Sequence, residues 1–245
     1  MKSSPAQLQQ RGYIPNDYHN SYQQLNQNEI LDLLQSDIAV NRTLAARLLK
    51  YSPPSKVKVE VIIKALTTEK KLYSKIEICE TLTIYDAFAL PYLLPYLGKI
   101  GKNQHNEVPE KDFGKKNYPL PRDIVARIIS KMKPSVLPVL FDFIQTAEPC
   151  ALSEAIDAIG FISFYNRPSD GFEVLEMVFH KHINNSLLRW KIYRACSAFE
   201  QSVAFLQKYQ GIEQSHRLLK EVQRSLMLAQ SKAIVVSPDA ASGGS

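Results

Sequence analysis

The chain is poor in the residues that build most recognisable sites. Its 245 residues include one tryptophan, three cysteines and nine glycines. Cys79, Cys150 and Cys196 stand far apart, and no CxxC or Cys/His cluster supplies the spacing of a zinc site. Each lies in an apolar helical context, where a free cysteine reads as a small buried hydrophobe. No Gly-rich phosphate loop, nucleophile elbow or HExxH occurs. His180 and His182 are two residues apart in a helical segment, so they do not share a face and make no metal pair. Glu173, Glu176 and His180 read as a solvated outer face. No cofactor and no metal are expected, and an activity is less expected than a binding role. Long apolar runs are also missing. The most apolar stretch, Phe88 to Leu97, is broken by Pro91 and Pro95, and it is half the length of about twenty residues that a membrane span needs. The start of the chain has no apolar core of a secretory signal. The expected setting is cytoplasmic and away from membranes.

What is present is an ordinary globular balance: 45% hydrophobic and 22% charged residues, with a net charge of +6. That charge permits nucleic acid or an acidic protein surface as partner and demands neither. Residues 1–27, rich in Gln, Asn, Tyr and Ser, read as flexible, with a short docked stretch around Tyr13-Ile14-Pro15. Residues 232–245 read as a flexible tail. Between them, over 28–231, helical periods alternate with short turns. The spacing predicts six helix pairs: 29–34 with 39–51, 55–67 with 71–84, 89–98 with 121–132, 135–146 with 149–164, 171–182 with 186–198, and 200–209 with 213–231. Asp37 is placed to cap or turn into the second helix. The third pair carries an insertion, residues 100–119, too long and polar for an ordinary connection. It is either a tolerated surface loop or a contact loop.

The second helices align with one another. Arg42-x-x-Ala45-Ala46, Lys75-x-x-Ile78-Cys79, Arg122-x-x-Val125-Ala126, Leu152-x-x-Ala155-Ile156 and Arg189-x-x-Ile192-Tyr193 start at spacings of 33, 47, 30 and 37 residues. Leu90-Pro91-x-Leu93 and Leu137-Pro138-x-Leu140 resemble the opening of a HEAT first helix. Asp37 with Arg42 and Ala45-Ala46 resembles the opening of its second helix, and Ala155-x-x-Ala158-x-Gly160 its close. Over 28–231 the chain thus resembles the HEAT-repeat, armadillo-type helical family. The resemblance implies an all-α fold, a right-handed α–α superhelix of about six helix pairs. Its Asp–Arg ladder would be incomplete, since only Asp37 keeps the acidic column. The family includes protein-binding scaffolds and also enzymes, among them some alkylpurine DNA glycosylases and phycobilin lyases; no local motif assigns this chain to either.

At about 100° per residue, and with the 42 column set at zero, the columns of 45, 46 and 49 fall within roughly 60° of it and mark the buried face. Arg42, Lys75, Arg122 and Arg189 lie on that face and should pair locally. The column of 47 falls near 140°, away from the core. Its members, Arg47, Glu80, Arg127, Asp157 and Arg194, alternate in sign. They are expected to be exposed on the concave surface and to form a row of ion pairs between repeats. Mixed charge there favours a protein or peptide over nucleic acid, which is drawn to one sign. Trp190, one turn before Arg194, completes the expected partner-binding set, since an exposed Trp–Arg pair has the composition of an interface hot spot; the alternative, that Trp190 packs between the fifth pair and a neighbour, is the favoured one. The leading expectation is therefore a non-enzymatic protein-binding scaffold. Nucleic-acid binding or base repair comes second, with Arg189, Lys191 and Arg194 as phosphate contacts, and a phycobilin lyase or pigment-protein chaperone third.

Overall fold

A computed structural model describes residues 4–22, 24–111 and 113–235. Every regular element among them is helical, and the chain divides into two compact units, 1–95 and 96–245. Residues 236–245 of the expected tail lie outside the described residues.

The first unit contains α1 (Pro5–Gln10), α2 (Gln27–Leu34), α3 (Ala39–Lys50), α4 (Lys56–Thr68), α5 (Leu72–Ile84) and α6 (Asp86–Leu93). Helix starts follow local chemistry. Asn26 and Glu29 form a reciprocal capping box on α2, and the Ser55 hydroxyl accepts from the Lys58 amide at the start of α4. Asp37 does not cap α3. Ile38 takes that position with no side-chain cap, and the Ser36 hydroxyl instead accepts from the Ile38 amide. α2, α4 and α6 touch in sequence as one layer, and α3 and α5 pack as a second layer against it.

The second unit contains α7 (Ile124–Ile129), α8 (Leu137–Thr146), α9 (Pro149–Asn166), α10 (Phe172–Lys181), α11 (Ser186–Cys196), α12 (Val203–Ile212) and α13 (His216–Val235). Asp123 caps α7 and Asn185 caps α11. α7, α9, α11 and α13 contact one another in order, with α8, α10 and α12 each packed on the helix that follows it. In both units the aligned columns are buried as the periodicity predicts: Ala45, Ala46, Ile78, Val125, Ala126, Ala155, Ile156, Ile192 and Tyr193 have no exposed surface. Cys196 is buried, but Cys79 is only partly so and Cys150 is exposed.

Two irregular segments, the start of the chain and the insertion, are held by contacts with the second helices, the first through the stretch expected to dock. Within 1–27, residues 5–10 are helical, and the stretch around Tyr13-Ile14-Pro15 docks on α3 and α5. Ile14 is buried against Leu44 and Leu48. The Thr43 hydroxyl donates to the Gly12 carbonyl at 2.7 Å, the Tyr73 amide donates to the Arg11 carbonyl at 3.0 Å, and Arg47 donates to the Pro15 carbonyl. Further on, His19 stacks on Tyr51 at 5.0 Å.

The insertion of the second unit behaves in the same way. Residues 98–111 and 113–123 form a strap across α9, α11 and α13. Its main anchor is Tyr118, 2% exposed, whose ring packs against Phe161 and Phe164. The ring occupies the space that a side chain on Gly160 would fill. Arg224 donates to the Lys115 and Asn117 carbonyls at 3.0 and 2.7 Å, and its guanidinium lies 5.2 Å from the Phe113 ring centre. Arg217 reaches the Val108 carbonyl, and the Tyr165 hydroxyl reaches that of Tyr118.

Gly160→Ala is therefore expected to expel Tyr118 and loosen the strap while the helices persist. Limited proteolysis should then cut within 98–123 many times faster than in the parent, at unchanged far-ultraviolet circular dichroism. An unaltered cleavage rate would count against the anchor.

Candidate functional site

The six residues expected to meet a partner separate into two groups. Glu80 and Arg127 are exposed, and Arg47 is partly so. Asp157 and Arg194 are buried at 4% exposure, which corrects the expectation that their column lines an open surface, and Trp190, 5% exposed, is packed against its neighbours. Helical geometry places them away from the repeat core, but the strap lies over that flank. The His105 ring meets Trp190 edge-on at 5.2 Å, while the Arg194 guanidinium lies 3.8 Å from the Trp190 ring centre on the same helix.

The alternating row does not pair within itself. Arg47 bonds Glu77 at 2.7 Å, and Lys50 bridges Glu77 and Glu80. Asp157 bonds Lys191 at 2.9 Å, and Arg194 bonds Glu221 at 3.2 Å. Arg127 donates to the Pro121 carbonyl instead of a carboxylate. Arg47 and Asp157 each pair with the next helix three residues earlier in the alignment, at Glu77 and Lys191. Three residues are about one helical turn, roughly 4.5 Å, so the register of pairing is displaced by a turn. Sign alternation along one column carries no information about that displacement.

Two of the four members of the first column, Arg42 and Arg189, pair locally, with different partners from those of the expected Asp ladder, whereas Arg122 is exposed and lies outside the buried face expected for it. Arg42 grips Glu69 with two bonds of 2.7 and 3.0 Å, and Arg189 bonds Glu213 at 2.9 Å. Both glutamates stand in the turn just before the next second helix, where they also accept main-chain amides: Lys70 and Lys71 on Glu69, Ser215 on Glu213. A sequence signal existed in Glu69-Lys-Lys-Leu72 and Glu213-Gln-Ser-His216, an acid three residues before a helix start.

At the centre of the second unit Lys191 has no exposed surface. Its ammonium bonds Glu154 at 2.8 Å, Asp157 at 2.9 Å and the Ser153 carbonyl at 3.2 Å. Burial pushes the Glu154 carboxyl up to about 7 against the pull of Lys191, and the neighbouring Asp157 charge adds to the rise. The ammonium is held charged by the two carboxylates in spite of burial. This is a packed ion cluster, and Lys191 is not available as a surface phosphate contact.

His105 is the functional-looking residue that the sequence did not single out. Burial, together with the Arg122 charge, lowers its pKa to about 4. Arg122 approaches its Nδ1 at 3.5 Å, a contact that requires an unprotonated nitrogen. The outer Glu176–His180 pair is exposed at 4.0 Å, and no cluster of metal-binding side chains forms among the described residues. No helix among them is long and apolar enough to cross a membrane. Comparison of the chain with protein-family models, with curated proteins and with solved structures finds no match.

Two measurements follow from this arrangement. Because the folded pKa of His105 lies below the ordinary value near 6.5, its contribution is present above 6.5 and is lost as pH falls through about 4. Trp190 is the only tryptophan, so its emission should shift to the red over that fall, and His105→Gln should remove the transition. A titration identical in the two proteins would refute the assignment. Lys191→Met leaves two buried carboxylates without their cation and should cost about 3–5 kcal/mol in denaturant unfolding. A loss below about 1 kcal/mol, the scale of an exposed pair, would mean that the cluster is solvated.

Proposed function

We propose that the chain is a non-enzymatic adaptor of the HEAT type, a superhelix of helix pairs that works in the cytoplasm and holds an extended stretch of a protein partner on its second-helix faces. One observation carries this reading. Each unit already holds an extended segment of its own chain on that flank, and it does so largely through side-chain donors on main-chain carbonyls. Thr43 and Arg47 serve residues 12 and 15, while Arg217 and Arg224 serve 108, 115 and 117. A face that reads carbonyls accepts polypeptide of varied sequence, because every residue has one. Glu80 and Arg127 are the accessible members of the expected contact row, and Arg47 is half-buried beneath Pro15. Asp157, Trp190 and Arg194 would reach a partner only with the strap displaced.

A nucleic-acid groove is less well supported. The cations of the second helices stand among Glu77, Asp157 and Glu221, which neutralise the row that phosphates would need.

Photo-crosslinking in the source cell tests the proposal. A benzophenone side chain at position 80 or 127 should capture a discrete protein, and one at Met177, an exposed residue of the first-helix layer, should not. Capture of nucleic acid, or equal capture at all three positions, would overturn it.

A further inference from the structure

The strap does not close completely on the helices beneath it. It leaves a cavity of about 290 Å3, at the small end of the range of ligand sites and suited to a metabolite-sized molecule. The buried side is formed by Asp157, Trp190 and Arg194. The strap contributes apolar walls from Phe113 and from the Pro119-Leu120-Pro121 run. Leu120 is 45% exposed, and Lys111 and Arg122 are exposed too, so these three mark the mouth.

The charges of the described residues that line this space do not cancel. Asp157 is bonded by Lys191, and Arg194 by Glu221. His105 is neutral at physiological pH. Among the described residues no carboxylate pairs with Lys111 or Arg122, and the one side-chain contact of Arg122 is with the neutral imidazole. Arg127 reinforces the same sign nearby, because it spends its Nε on the Pro121 carbonyl and has no carboxylate partner among the described residues. Two cations therefore stand at the mouth of an apolar space with no carboxylate partner among the described residues. Of the residues on its buried side, Asp157 Oδ1 and Arg194 Nε are buried without a hydrogen-bond partner among the described residues.

We infer that this cavity is a binding site for a small amphipathic organic anion. A ring-sized apolar body lies between Trp190 and the Phe113 and proline walls, and a carboxylate or phosphate head is held by Arg122 and Lys111. The body supplies burial, since removing apolar area from water favours binding. The head supplies charge-assisted bonds at the two cations, where a guanidinium can engage either oxyanion with two parallel bonds. A bare inorganic ion lacks the first contribution, and a neutral aromatic lacks the second. The site does not rest on the adaptor reading, because its residues belong to the closed state of the strap and no protein partner is needed to complete it.

The test uses the full chain, with Trp190 emission as readout and phenyl phosphate and benzoate as probes. Inorganic phosphate and benzyl alcohol serve as controls. At least one aromatic anion should give a saturable change at or below about 1 mM, an affinity of roughly 4 kcal/mol. Both controls should need at least about tenfold more. Whichever anion saturates first identifies the preferred head group. Arg122→Glu and, separately, Lys111→Glu lie at exposed positions and should keep the parent's thermal transition while weakening the probe about tenfold or more. Saturation-transfer difference NMR should show contact at the ring protons. No saturation by either anion up to about 10 mM, equal binding of benzyl alcohol, equal binding of inorganic phosphate, or unweakened binding in both folded variants would each overturn the inference. None of these outcomes bears on the crosslinking test of the adaptor face.

Discussion

The second unit is organised by one close approach, the Tyr118 ring on the bare backbone of Gly160. A fully buried aromatic ring is a large apolar load, and here it fixes an otherwise polar segment across three helices. Once Tyr118 is seated, the Tyr165 hydroxyl and the Arg224 guanidinium reach the carbonyls on either side of it. The rest of the strap then brings His105 onto Trp190 and encloses the cavity. Without that anchor the insertion would be the solvated loop that its composition suggests.

Beneath the strap, the second helices are joined by ion pairs that are largely withdrawn from water. Such pairs add little net stability compared with well-packed apolar residues, but losing one partner is costly. Lys191 between Glu154 and Asp157 is the extreme case, since all three are buried. The cluster fixes how α9 sits against α11, and Trp190 and Arg194 follow from that placement. The Arg42–Glu69 and Arg189–Glu213 pairs do related work in the turns, where one glutamate accepts both from the helix behind it and from main-chain amides ahead.

Much of this was readable from the sequence, and the division is physical. Helix positions and buried columns follow from periodicity, a local property, so Ala45, Val125, Ala155 and Ile192 fell where the wheel placed them. The wheel also put Asp157 and Arg194 away from the repeat core. It could not show what lies over them, because their cover comes from residues some 40 to 90 positions away in a polar stretch with no period of its own. Pairing across helices was misread for a related reason. The axial displacement of one helix against the next is set by packing, and it moved each partner by a turn, from Glu80 to Glu77 and from Arg194 to Lys191. Tyr13-Ile14-Pro15 was legible as a docked stretch because three bulky residues interrupt a polar segment. His105 was not, since a lone histidine between Gln104 and Asn106 carries no signal until Trp190 is beside it.

The way the strap is held has a consequence for how such a chain can diverge. Arg224 binds its carbonyls at two exposed positions, so it is indifferent to which side chains occupy 115 and 117, whereas Val108, whose carbonyl Arg217 takes, is itself buried. Substitutions along much of the segment should be tolerated, whereas a change in the number of residues between His105 and Tyr118 would put every later carbonyl out of reach. Among descendants of this sequence, length should be the inherited trait of the strap, and composition the variable one.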